Sequence, residues 1–146
     1  MQDHIYAYLL SFITVTVLLI YIMKLPYLVT ANKELVNEYY GENYSQYLIF
    51  DFFLVGIYLA LSLFAIDLLD VDHIVGQLIL VCVVTVIISG SFYLYFINSA
   101  KSSSFFSRWF HGVKMNAILY DVLLLASTFA GYKWLLSQFR GKVLIE

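Results

Sequence analysis

The chain has 146 residues, of which 62% are hydrophobic and 12% charged, with a net charge of −2 and a mean hydropathy of +0.85. That balance lies outside the range of ordinary soluble domains. A weakly acidic chain without a basic stripe or a stacking platform also has no means of gripping nucleic acid. Cys82 is the only cysteine, which excludes a disulfide framework and any thiol oxidoreductase that works through cysteine pairs.

Several apolar runs approach the roughly 20 residues needed to cross about 30 Å of hydrocarbon. The expected fold is therefore all-α: an integral membrane four-helix bundle occupying one domain, 1–146, with a short interfacial amphipathic helix between spans 3 and 4. The first span is expected over 5–23. Met1-Gln2-Asp3-His4 carries no Lys or Arg and no small-x-small cleavage site follows, so the run reads as a retained span and not as a secretory signal.

Residues 24–46 form a polar connection in which Asn32 is expected to cap a short helix over Lys33 to Tyr40, with Gly41 as its stop. Tyr39, Tyr40, Tyr44 and Tyr47 suit the headgroup level, where amphipathic rings are favoured. Asn43-Tyr44-Ser45 matches a glycosylation sequon, but it lies too near the next span for occupancy to be expected.

The second span, 47–69, carries Asp51 one turn in and Asp67 near its end. A tight turn follows, and Asp70 or Asp72 is expected to cap the third span, 74–97. Gly90, and the small-residue pairs Gly56/Ala60, Ala126/Ala130 and Ser127/Gly131, offer faces for close helix approach. Asp67, Asp70, Asp72 and His73, joined by His4, are an oxygen-rich group without a defined ligand spacing. Capping and a wet turn explain them, and no metal is expected. His4, His73 and His111 all fall at span ends, which argues against intramembrane haem, and no cofactor is expected.

The run Asn98 to Asp121 holds three of the eight Lys+Arg residues. A helix over about 104–114 puts Phe105, Phe106, Trp109, Phe110 and Val113 on one side, and Ser107, Arg108, His111 and Lys114 on the other. Such a helix suits the water–lipid boundary, with its cations on lipid phosphates. The fourth span is expected over 117–136, followed by a short tail of mixed charge to Glu146. Five basic residues (Lys24, Lys33, Lys101, Arg108, Lys114) fall on the side of the two long connections, against Lys133, Arg140 and Lys142 on the other. This bias leans toward both termini outside the cytosol.

A carboxylate inside a span costs a few kcal/mol unless it is paired, protonated or near water. Asp51 and Asp121 are therefore the residues that ask for partners, and Arg108, His111, Lys114 and Lys33 are the cations within reach on the same side. Gln46 to Gly56 also matches Asn116 to Ala126 in pattern, each with an amide, an aromatic, an aspartate and a small residue in register. A parallel repeat would put both aspartates at equal depth, although apolar bias alone produces such matches. The readings are an interfacial ion pair that fixes helix rotation, a proton or cation relay, and a catalytic pair. The sequence has no Gly-rich phosphate loop, nucleophile elbow or HExxH, so a non-enzymatic chain is expected.

The run Phe105 to Asp121 resembles a feature of small multi-span membrane proteins of nucleocytoplasmic large DNA viruses, over some 17 residues of the 146. The resemblance implies a virion component in the viral inner membrane, beneath an icosahedral shell. The expected function is thus structural, anchoring or assembly, with the lipid bilayer, other membrane or capsid-like proteins, or further copies of the chain as partners. The alternative is a small proton- or ion-coupled transporter, or a subunit of one, using Asp51 and Asp121. A trimeric membrane enzyme acting on lipophilic substrates is a third class, and it lacks a visible basic cofactor pocket.

Overall fold

The computed structural model describes residues 2–30 and 32–143. Among them there are helices and connections but no strands. Helix α1 covers Gln2–Thr16 and passes into a π-helical turn, Val17–Ile22. The short helices α2 (Leu25–Val29) and α3 (Lys33–Asn37) make up the first connection, and α3 also ends in a π-helical turn, Glu38–Glu42. Two 25-residue helices follow, α4 (Tyr44–Leu68) and α5 (Ile74–Asn98). Helix α6 spans Phe105–Val113 and α7 spans Asn116–Val143.

Three helical segments, Gln2–Ile22, α4 and α5, are long and apolar enough to cross a membrane; α6 and α7, bent by 103°, make a fourth if the pair is counted as one. At about 1.5 Å per residue a 25-residue helix reaches nearly 40 Å, more than the hydrocarbon thickness. Helix α7 continues through the expected tail, of which 144–146 lie outside the described residues.

The ends of the helices are built from local chemistry. Asn32 Oδ1 accepts from Leu35 N at 3.3 Å, the expected cap, but the chain keeps winding through Gly41 in the π turn and does not stop there. Ser104 caps α6 by accepting from Ser107 N at 3.3 Å. The α5 cap is His73, whose Nδ1 accepts from Val75 N at 3.3 Å, and not Asp70 or Asp72. Asp70 instead closes α4: it adopts φ 53°, while Val71 N donates to Ile66 O and Asp70 N to Asp67 O. That is a Schellman closure with aspartate in the place glycine usually holds. His4 does not join this turn, since Nδ1 meets Tyr132 Oη at 2.6 Å and Nε2 lies 3.2 Å from Arg140.

Helix α7 packs against α1 on one side and α5 on the other, and α5 against α4. Among the glycines the tightest surroundings are at Gly131, where an added Cβ would lie 2.5 Å from Ser11 Oγ. Ser11 donates to the Thr128 carbonyl at 2.7 Å, and Ala7 one turn earlier is fully buried. The other small residues do different things. Gly56 makes room for the Tyr8 ring, and a Cβ there would sit 3.1 Å from its hydroxyl. Gly90 has nothing within 4 Å of that position, Ala60 and Ala130 are exposed, and Ala126 is half-buried. Gly131, with Ala7 and Ser11, is thus the contact that brings two helices together.

Candidate functional site: a ring-lined cavity with two carboxylates

Helix α6 does form, but its aromatic side faces protein and not lipid. Phe105, Trp109, Phe110 and Val113 are buried in a cluster with Leu35, Val36, Tyr39 and Ala117. The first connection folds over the second and supplies these partners, so the face finds apolar surface within the chain. Tyr39 sits centrally, 4.3 Å from Tyr47 and 4.7 Å from Phe105 between ring centroids. Ser107, expected on the polar side, is buried and accepts from Ser102 N at 3.1 Å. Arg108 and Lys114 are exposed, and Phe106 and His111 are half-buried, with His111 Nδ1 2.8 Å from Ser107 O.

Beneath this cap lies a cavity of about 270 Å3, walled by α4, α5, α6, α7 and the π turn after α3. Both aspartates line it. Tyr39 Oη donates to Asp51 Oδ1 at 2.5 Å, and Ser89 Oγ donates to Asp121 Oδ2 at 2.6 Å. Ser89 lies 3.3 Å from Tyr58 Oη, and Tyr40 and Tyr120 join hydroxyls at 2.7 Å on the same wall. Asp51 is 8% exposed, and its Oδ2 is buried without a partner.

Among the described residues, no lysine or arginine lines the cavity. The cations expected to satisfy the aspartates are elsewhere. Arg108 makes a two-pronged pair with Glu38, Nη1 to Oε2 at 2.7 Å and Nη2 to Oε1, which is the one salt bridge among the described residues. That guanidinium, through its hydrogen bonds, holds the Glu38 carboxyl below the ordinary glutamate value. Arg108 also lies 5.9 Å from the Phe105 ring centroid. The ion-pair reading of Asp51 and Asp121 is therefore corrected: hydroxyls, not cations, hold them, because the nearest guanidinium is taken by a glutamate on the facing connection.

Tyr39, Tyr40, Tyr58, Ser89 and Tyr120 were not legible as site residues, although one signal points to Ser89. On α5, Gln77, Thr85 and Ser89 fall at multiples of four on one apolar helix, and with Val81 they are its buried face. Weakly polar residues on one stripe of a hydrophobic helix mark the side turned away from lipid. Asp51 and Asp121, at matching places in the two similar segments, do face one cavity.

Comparison with protein-family models, curated proteins and solved structures gives no match.

Proposed function

We propose that the chain is an integral membrane four-helix bundle that carries a proton or cation through the pair Asp51 and Asp121. The observation that supports this is the company the carboxylates keep. They face one cavity, are held by Tyr39 and Ser89, and leave Asp51 Oδ2 without a partner. Carboxylates at membrane depth with no opposing cation favour a group that takes up and releases charge. An ion pair that merely fixed helix rotation would need a lysine or arginine in the wall.

Phe105, Trp109 and Phe110 on the aromatic face of α6 pack against the first connection, so the cavity favours the carrier over the anchoring and assembly role that the resemblance and the small-residue faces imply. The run that resembles viral membrane proteins, Phe105 to Asp121, supplies the cap and one wall of the cavity.

The test is flux into liposomes holding the purified chain and a trapped pH dye, under an imposed gradient. Wild-type chain is expected to dissipate the gradient, while Asp51→Asn and Asp121→Asn each abolish it with helical content unchanged. Flux retained in both variants would remove the carrier reading.

A further inference from the structure

We propose that the cavity takes a lipophilic ammonium ion, an amine with an aromatic or bulky apolar body, whose charged nitrogen is countered by the Asp51 carboxylate. This substrate class rests on the carrier reading above and narrows it. A bare proton needs a chain of hydroxyls or water, not a space of about 270 Å3. A hard cation such as Ca2+ or Mg2+ needs six or more oxygen ligands, whereas this wall is dominated by rings, Phe50, Phe92, Phe96, Phe105 and Trp109 among them. Ring faces attract an organic cation and bury its apolar body at once.

The carboxylate supplies the counter-charge. Asp51 lines the cavity and is held in place by Tyr39 through Oδ1, while its buried Oδ2 has no partner among the described residues, so the group keeps unused capacity to accept an ammonium N–H. The way in agrees with such a ligand. Phe50 on α4 and Phe92 on α5 line the cavity yet are 51% and 42% exposed, so movement of these two rings is the entry we assign, between two apolar helices. An amphipathic amine dissolved in the membrane reaches that opening; a hydrated inorganic ion does not.

The probe is 1-naphthylmethylamine, protonated near neutral pH, set against the uncharged 1-naphthylmethanol. Binding to the full chain in detergent is read from Trp109 emission in a Trp134→Phe background, since Trp109 lines the cavity and Trp134 does not. The amine is expected to saturate, with the alcohol at least about tenfold weaker. Asp51→Asn is expected to cost the amine about the same factor and leave the alcohol unchanged. Equal affinity for the two, or no saturable response to the amine on the chain with Asp51 intact, overturns the inference. Aspartate-dependent flux of protons without amine binding would overturn this inference and leave the carrier reading standing. Amine binding without any flux would support the inference and overturn the carrier reading.

Discussion

Among the described residues, Asp51 depends on Tyr39 for the one hydrogen bond its carboxylate receives. Tyr39→Phe removes that donor but keeps the ring among Tyr47, Phe105 and Trp109. A buried acceptor left without a donor costs about 1–3 kcal/mol, so thermal unfolding in detergent is expected to shift down. Asp51→Asn keeps an oxygen for Tyr39 and is expected to change stability less than Tyr39→Phe. A second position is Gly131, where the Cβ of an alanine would force Ser11 Oγ aside and break its bond to the Thr128 carbonyl. Gly131→Ala is expected to cost about 1–3 kcal/mol. Ser11→Ala in the same chain should recover part of that loss, as measured by the same melt. Gly131 was legible as a place of close helix approach, though not its partner Ser11, and the dependence of Asp51 on Tyr39 was not legible. Tyr39 and Asp51 are twelve residues apart on different elements (51 − 39), and a tyrosine beside a span reads equally well as a headgroup ring.

Among the elements, hydropathy located the long helices and Ser104 located the start of α6, because both signals are local. The direction of the α6 aromatic face was not legible, since a ring facing lipid and a ring facing protein have the same hydropathy. Leu35, Val36 and Tyr39 recur at helical spacing in a connection read as polar, and they are the partners that turn α6 inward. The Glu38–Arg108 pair joins the same two connections at the surface. Because Glu38 is held below its ordinary value in the folded chain, the pair's contribution is present above the unfolded glutamate value. It is lost as pH falls through the lowered folded value. Wild type is therefore expected to lose part of the cap's protection from proteolysis in acid over that window, falling to the weaker, pH-independent protection that Glu38→Gln shows throughout. Limited proteolysis across the acid range checks this. Charge reversal in both partners, Glu38→Arg with Arg108→Glu, is expected to restore part of what either change alone loses.

For the whole molecule, the two connections lie at one end. Asn116 Nδ2 donates to Val29 O at 2.8 Å, and Glu38 meets Arg108. The opposite end joins His4 to Tyr132 and Arg140. If four segments cross a bilayer, Lys33→Cys and Lys101→Cys, each in a Cys82→Ser background, are labelled from the same side of sealed vesicles. Asp72→Cys is then labelled from the other side. Labelling of all three from one side would contradict four crossings. The composition made the long apolar helices legible because mean hydropathy needs no knowledge of neighbours. The cavity was not legible, because it is made by residues from four helices and a turn that no local pattern connects.

The most direct measurement is the charge the chain moves. Current is recorded from a solid-supported membrane carrying the protein while a proton or 1-naphthylmethylammonium concentration jump is applied. The carboxylate account predicts a transient current from wild type. It predicts none from Asp51→Asn/Asp121→Asn, at equal protein density and helical content. Equal currents from the two would contradict the account and leave the aspartates as structural residues.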